Sequence, residues 1–125
     1  MDIVQKGVYD FHKKYNCLYA DNPTMPDCDI LLLRSRLIVE EASEFLKAAS
    51  NKDMVGMADA IADILYVTYG TAVVLGIDME PICTEVQRSN MTKDGGGQDL
   101  AGKVKKGPFF TPPDIKSKLK EQGWE

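Results

Sequence analysis

The sequence contains a single histidine, His12, and only three cysteines among its 125 residues. The cysteines, Cys17, Cys28 and Cys83, are odd in number and form no CxxC pair, which argues against a disulfide framework and suits a reducing cytoplasm. The scarcity of histidine argues against a carboxylate di-iron bundle, which needs an ExxH motif on two of its helices. Zinc is disfavoured for the same reason. We therefore expect a cytoplasmic protein without a zinc or iron centre.

An excess of positive charge is also absent. The formal net charge of -4 argues against a protein that binds a nucleic acid polymer mainly through electrostatics. With 44% hydrophobic and 27% charged residues, the composition is that of an ordinary globular domain, and we expect one domain over 1–125. Charges interrupt the N-terminal segment, which therefore does not resemble a signal peptide. The only long apolar run, 57–76, contains Asp59 and Asp63, each of which costs about 2.5–3.5 kcal/mol near a bilayer centre, so we expect no membrane segment.

Hydrophobic periodicity and turn residues predict an all-α fold of four to five helices. A strand is the competing interpretation for the β-branched part of the third segment, but the apolar run is too long for one strand. Gly76 is expected to end that helix as a C-cap. Half of the glycines and half of the prolines fall in 94–114, which predicts a functional flap or tail. The predicted helices cover about 3–15, 28–49, 54–75, 79–92 and 115–122.

Acidic residues recur at helical spacing on the second and third predicted helices. They are Glu40, Glu41 and Glu44 on the second helix and Asp59 and Asp63 on the third. Residues three or four positions apart share a helix face. If the two helices form an antiparallel hairpin about a turn at 51–52, Glu44 lies level with Asp59 and Glu40 lies level with Asp63. The sequence therefore predicts a cluster of carboxylates on facing helices.

Two aspartates in an apolar helix need a physical reason. A helix that is apolar on nearly every side is normally buried on every side, which predicts additional cover from a second subunit. Buried carboxylates must be protonated, paired or bound to a cation. Arg34 and Arg36 could neutralise part of the charge, but a hard divalent cation with oxygen ligands, Mg²⁺ or Mn²⁺, answers the arrangement more fully. An exposed acidic face on the second helix, with the aspartates acting as caps or arginine partners, is the alternative.

A polar segment at the end of the fourth predicted helix could bind phosphate. In "EVQRSNMTK", four polar residues, Arg88, Ser89, Asn90 and Lys93, lie within about one and a half helical turns. The alternative is that these residues only cap the helix and complement its dipole.

The combined pattern resembles the all-α nucleoside triphosphate pyrophosphohydrolases, a superfamily that includes MazG proteins, dimeric dUTPases and phosphoribosyl-ATP pyrophosphohydrolases. The resemblance runs from about 34 to 115 and is most like the small MazG-like or phosphoribosyl-ATP pyrophosphohydrolase-like members. It implies a MazG-like bundle in which helices 2 and 3 form the hairpin and oligomerisation to a homodimer or homotetramer completes the fold. The matching segments are the EExxE at 40–44, the acidic pair at 59 and 63, "YGTAVVLGID", "EVQRSNMTK" and "GKVKKGPFFTPPDI".

The resemblance also implies an activity, which is hydrolysis of a nucleoside triphosphate between its α- and β-phosphates with Mg²⁺ as cofactor. The first acidic motif of the superfamily, ExxE, falls on Glu41 and Glu44. The second motif, ExxD, would require an acid at Ala60 before Asp63, and we expect Asp59 to take its place. The expected metal ligands are thus Glu41, Glu44, Asp59 and Asp63.

The remaining expected roles follow from the same resemblance and from the chemistry of the residues. Glu40 or Glu41 would accept a proton from the attacking water. A tyrosine or phenylalanine, Tyr69 or Phe109, could stack on the base, although such residues are more often part of the core. The alternative function, favoured by Ala60, is a non-catalytic oligomeric helical module that binds a nucleotide or a partner around a structural cation. The expected substrate-binding residues are Arg88, Asn90, Lys93, Lys103 and Tyr69.

Overall fold

The computed structural model describes residues 1–125 and contains five α-helices. An isolated bridge between Gln98 and Val104 is the only β-type pairing, so the predicted all-α fold is confirmed. The predicted bounds hold closely, except that the fourth helix ends at Asn90 rather than near 92. The helices are α1 (Ile3–Lys14), α2 (Cys28–Ser50), α3 (Met54–Leu75), α4 (Met79–Asn90) and α5 (Ile115–Glu121).

The predicted hairpin of α2 and α3 is confirmed, because these two helices pack against each other more extensively than any other pair. The turn lies at 51–53, where Lys52 adopts a left-handed φ of 52°. The Asp53 carboxylate accepts a 3.0 Å hydrogen bond from the Gly56 amide. This bond satisfies a free N–H at the start of α3 and fixes where the second arm of the hairpin begins.

Gly76 ends α3 with φ at 71°, as predicted from the sequence. A Cβ at this position would collide with the Asn22 carbonyl, so the absence of a side chain lets the 20–24 segment pack on the helix end. In the same region Thr24 donates its amide to the Leu75 carbonyl at 2.8 Å. These contacts attach the connection between α1 and α2 to the far end of the hairpin.

The core of a single chain is small, because only 11 of the 125 residues are buried and none of them belongs to α2. One chain alone does not cover α3 on all sides, since Ile61 and Leu65 are each 49% exposed. By its length and composition α3 is one helix that could cross a membrane, with a mean hydropathy of 1.4 over its most apolar window. Core helices of soluble proteins can have the same length and composition. Cover from a second subunit stays a prediction.

Candidate active site

An open polar cavity of about 260 Å³ lies between α2 and α3, beside the hairpin turn. Five carboxylates line it, and Lys47 is the only cationic side chain among its lining residues. The structure therefore brings together all four residues that were expected to bind the metal. The acidic lining residues are Glu41, Glu44, Asp53, Asp59 and Asp63.

Helical spacing and small side chains account for the cavity. Glu41 and Glu44 lie one turn apart on α2, and Asp59 and Asp63 lie one turn apart on α3, so each pair faces the opposite helix. Close packing beside the turn holds the two helices together, since a Cβ at Gly56 would lie only 3.1 Å from the Ala48 Cβ. The cavity thus opens where two tightly packed helix ends carry acidic rather than apolar side chains.

Ala60 lies in the same cavity wall and is only 4% exposed. It occupies the position at which the second acidic motif requires an acid. The neighbouring Asp59 also lines the cavity, but its side chain is exposed. Asp59 and Asp63 therefore line the same cavity, while the buried position between them is occupied by the small side chain of Ala60.

The negative charge of the cavity is not neutralised within the chain. Burial raises the pKa of Glu41 above its ordinary value, and the charge of Asp63 raises it further, followed by Glu40, Glu44 and Asp59. None of these five carboxylates forms a salt bridge. The side chains repel one another and have no cationic partner within ion-pair distance.

Arg34 does not supply the missing charge. Its guanidinium donates to the Val67 carbonyl at 2.8 Å and to the Thr71 hydroxyl at 3.2 Å, and it makes no ion pair with the acidic residues. Burial without a carboxylate partner lowers the pKa of Arg34. This arginine therefore connects α2 to α3 and leaves the cavity negatively charged.

The donor set fits a hard divalent cation, because carboxylate oxygens are the ligands that Mg²⁺ and Mn²⁺ prefer. In the side-chain conformations of this structure, however, no three Asp, Glu, His or Cys groups converge closely enough to hold a metal ion. Carboxylates without a counter-charge are expected to spread apart by mutual repulsion. Binding of a cation would require their side chains to turn inward, and the metal site stays a prediction.

Lys47 and Asn51 also line the cavity, although neither was selected from the sequence. The signal for Lys47 was available, because it follows Glu44 by one helical turn on α2. Asn51 belongs to the turn, whose side-chain directions cannot be obtained from helical periodicity. Both residues add polar groups to the wall of the cavity.

Glu40 is exposed and lies outside the cavity, even though it is next to Glu41. Tyr69 donates its hydroxyl to the Asp2 carboxylate at 2.9 Å, which ties α3 to the N-terminus. Phe109 is 81% exposed and is not among the residues that line the cavity. The structure therefore does not bring the two candidate aromatic residues to the carboxylates.

The predicted phosphate-binding residues also lie outside the cavity. Arg88 binds the Glu85 carboxylate on its own helix, with Nη2 at 2.7 Å from Oε1. Asn90 and Lys103 are exposed, Lys93 is half-buried, and none of them lines the acidic cavity. The helix that carries Arg88 and Asn90, α4, packs chiefly against α5 rather than against the α2–α3 hairpin.

A second cavity, of about 410 Å³, lies at the other end of α3 and is bounded by α1. Its buried side chain Gln5 donates to the Ile77 carbonyl at 2.7 Å and accepts from the Met79 amide at 2.9 Å. The Met1 amino group pairs with Asp78 at 3.1 Å. Since these polar groups bind one another, this cavity lacks the unbalanced charge that distinguishes the cavity at the turn.

The fold and the cavity define an all-α protein with a carboxylate-lined helical hairpin. A search of curated proteins finds no match to the chain. The family model described as phosphoribosyl-ATP pyrophosphohydrolase matches residues 8–90, about two-thirds of the sequence. The chain therefore belongs to the phosphoribosyl-ATP pyrophosphohydrolase family, within the MazG-like all-α nucleoside triphosphate pyrophosphohydrolases. Membership confirms the resemblance found in the sequence and indicates a pyrophosphohydrolase that acts on nucleotides.

Proposed function

We propose that the chain is a Mg²⁺-dependent nucleoside triphosphate pyrophosphohydrolase that releases a nucleoside monophosphate and pyrophosphate. The observation that carries this proposal is the uncompensated charge of the cavity, where Glu41, Glu44, Asp59 and Asp63 lie together without a salt-bridge partner. In a member of this family, such a cavity suits a divalent cation together with a polyphosphate.

Glu41, Glu44, Asp59 and Asp63 would hold the cation. Bound Mg²⁺, or Mn²⁺ in its place, would offset the negative charge of the triphosphate and orient it. The carboxylates would in turn be relieved of their mutual repulsion, which adds to the effect of burial in raising the pKa of Glu41 in the isolated chain. The chain would therefore bind the metal more tightly with all four carboxylates ionised.

Glu41 is the best-placed residue to accept a proton from the attacking water. It lines the cavity, whereas the neighbouring Glu40 does not. Glu40 is the second candidate, although it is exposed outside the cavity wall. The water oxygen bonds to one of the two phosphorus atoms of the α–β anhydride, and one water proton passes to the glutamate. The bond between that phosphorus and the bridging oxygen breaks, and the bridging oxygen leaves with the other phosphate, which gives pyrophosphate and the nucleoside monophosphate.

The phosphate-binding groups would come from a second copy of the chain. Asn90, Lys93 and Lys103 are absent from the cavity of their own chain, and α4 packs chiefly against α5. A homodimer or homotetramer that brings the end of α4 next to the hairpin of a partner would let these lysines stabilise charge on the leaving pyrophosphate. Arg88 and Tyr69 have their polar groups engaged by Glu85 and Asp2, and we assign them no substrate contact.

Pyrophosphate release from a panel of ribo- and deoxyribonucleoside triphosphates, with Mg²⁺ and with EDTA, tests this proposal. We expect Mg²⁺-dependent release from at least one nucleotide. Glu44→Gln and Asp63→Asn should each lower turnover by more than about 100-fold, since even outer residues of metal sites cost 10–100-fold when they are replaced. Asp29→Asn, an exposed acid at the start of α2, is the matched control and should retain activity.

The outcomes separate the two functions that the sequence left open. Turnover like that of the original protein in either cavity variant would refute the metal assignment. If no nucleotide is hydrolysed even at high enzyme concentration, the enzyme proposal is wrong. Nucleotide binding without turnover would then identify the non-catalytic helical module.

A further inference from the structure

The glycine-rich segment 93–110, which we call the arm, is a folded loop rather than a loose connection. Asp99 donates its amide to the Lys103 carbonyl at 2.9 Å, and its carboxylate accepts the amides of Ala101 and Lys103 at 2.9 Å each. Lower in the arm, the Lys105 amide donates to the Gly97 carbonyl at 3.0 Å. The two sides of the arm are therefore paired, and its tip is organised by one aspartate.

The arm presents a set of lysines that have no acidic partner. It contains four lysines and two aspartates, and none of these residues forms a salt bridge. One of the aspartates, Asp99, is occupied by the turn at the tip. The arm is thus a compact cationic element available to an anionic ligand. Its lysines are Lys93, Lys103, Lys105 and Lys106.

Both ends of the arm are joined at its base. The Thr92 hydroxyl donates to the Ser89 carbonyl at 2.6 Å and accepts the Thr111 amide at 3.0 Å. The Ser89 hydroxyl, which is buried, donates to the Thr111 carbonyl at 2.9 Å. The residues that flank the arm are therefore bonded to each other and to the last turn of α4.

An ion pair on α4 holds this base in place. Arg88 binds Glu85 through Nε and Nη2, and its remaining contacts go to the chain after the arm: Nη1 donates to the Thr111 hydroxyl at 2.7 Å and Nη2 donates to the Pro112 carbonyl at 3.1 Å. Glu85 in turn accepts the Asp114 amide at 3.0 Å. Only the planar guanidinium fork can make these bonds simultaneously, so a lysine could not replace Arg88.

We propose that Glu85 and Arg88 are positioning residues that clamp the C-terminal end of the arm to α4, close to where the arm begins, and present its lysines, as a preformed group, to the phosphates of the substrate. This inference rests on the proposed function for the identity of the ligand. The proposal divides the polar motif "EVQRSNMTK" into two parts. Glu85, Arg88 and Ser89 hold the arm. Asn90 and Lys93 stay free to contact a ligand. Preorganising charged groups before binding lowers the entropic cost of ordering them on the ligand.

Trypsin cleavage tests the clamp without any reference to activity, because Lys103, Lys105 and Lys106 are cleavage sites inside the arm. Mass spectrometry of the first cuts should show cleavage in the arm at least ten times faster in Glu85→Gln and in Arg88→Lys than in the original chain. Thr84→Ala, which changes an exposed hydroxyl on the same helix, is the matched control and should leave the rate unchanged. Circular dichroism confirms that each variant remains helical.

Thr111→Val provides a milder test, because it removes one Arg88 contact and leaves the ion pair intact. It should speed cleavage in the arm by a smaller factor. The Glu85→Gln/Arg88→Lys double variant should be no faster than either single variant, since both changes open the same clamp. Cleavage rates in the arm that match the original chain in Glu85→Gln and Arg88→Lys would overturn the proposal.

Kinetics on the nucleotide identified by pyrophosphate release test the positioning role. Opening the clamp should raise KM about tenfold, because the lysines remain present but are no longer preformed, and should lower kcat by a smaller factor, because the same lysines stabilise the leaving pyrophosphate. An unchanged KM, despite fast cleavage in the arm, would refute the positioning role.

If the original chain hydrolyses no nucleotide, the proposed function fails, and 1 mM inorganic tripolyphosphate becomes the probe. Protection of the arm from trypsin in the original chain but not in Arg88→Lys would support presentation of the lysines to phosphate, and no protection would overturn it.

Discussion

At the scale of single residues, the absence of a side chain at Gly70 leaves space for the Arg34 guanidinium to lie against α3. A Cβ at Gly70 would lie 2.5 Å from Arg34 Nη2 and 3.2 Å from His12 Nε2. Arg34 needs this space for its bonds to the Val67 carbonyl and the Thr71 hydroxyl. A glycine inside a helix usually lowers the stability of the helix by about 1 kcal/mol relative to alanine. At Gly70 this cost is offset by the hydrogen bonds of Arg34 that the glycine makes possible.

We expect Gly70→Ala to lower the free energy of unfolding by about 1–2 kcal/mol, because the loss of two charged hydrogen bonds exceeds the gain in helix propensity. Gly7→Ala on α1 is the matched control. Nothing lies within 4 Å of a Cβ there, so this change should stabilise the protein by about 0.5–1 kcal/mol. Urea unfolding of both variants measures the difference.

The same pair of changes in an Arg34→Met background isolates the cause. Without the guanidinium, the penalty for Gly70→Ala should shrink or change sign, while Gly7→Ala should keep its effect. Stabilisation by Gly70→Ala in the original background, equal to that of Gly7→Ala, would show that the arginine does not depend on this space.

At the scale of elements, helix ends were predictable and helix rotation was not. Both α3 and α4 begin at the predicted residues, 54 and 79, where the side chains of Asp53 and Asp78 cap them. Rise per residue also predicted which residues of α2 and α3 lie at the same level. It did not fix which of Glu40 and Glu41 faces the cavity, since that depends on the rotation of α2 about its own axis.

The sequence pattern also could not predict which residues a given side chain contacts. Arg88 was expected at the substrate, but its partners are Glu85 on α4 and two residues that follow the arm. No helical periodicity describes an irregular loop that returns to the helix from which it started. The sequence predicted the cluster of carboxylates that lines the cavity, whereas the contacts of Glu85 and Arg88 depend on the tertiary structure.

The attachment of the chain after the arm to α4 should depend on pH through Glu85. Its hydrogen bonds to Arg88 and to the Asp114 amide lower its pKa from 4.5 to about 2. A carboxylate with a depressed pKa in the folded state contributes stability that is fully present above pH 4.5 and is lost as the pH falls toward 2. Between pH 5 and pH 2.5, the free energy of unfolding of the original chain should therefore fall more than that of Glu85→Gln.

Urea unfolding at several pH values over that range measures this difference. Glu121→Gln, which removes a more exposed carboxylate with a 3.8 Å salt bridge, is the control and should follow the original chain. The same pH dependence in Glu85→Gln and in the original chain would show that Glu85 does not carry this stability.

At the scale of the whole molecule, the exposed area of one chain is larger than the average for a folded monomer of this mass. A folded monomer of 13.9 kDa is expected to expose about 6,700 Å², whereas this chain exposes 8824 Å². The excess of roughly 2,200 Å² is in the range that each subunit buries in a large obligate dimer interface. One candidate surface is a stripe on α2 at seven-residue spacing, where Leu32, Val39 and Leu46 are between 51% and 67% exposed.

We expect the chain to be a dimer or tetramer in solution and Val39→Glu, at the centre of the stripe, to shift it toward monomer. A charge buried without a partner at an interface costs several kcal/mol, so the dissociation constant should rise by more than about 100-fold. Ile3→Glu, at an 88% exposed position on α1, is the matched control and should keep the assembly intact. Sedimentation equilibrium measures both variants.

If the phosphate-binding groups come from a second copy, pyrophosphate release should fall with dissociation in Val39→Glu and recover at high protein concentration. A monomeric original chain with full activity would contradict both the oligomer and the shared site.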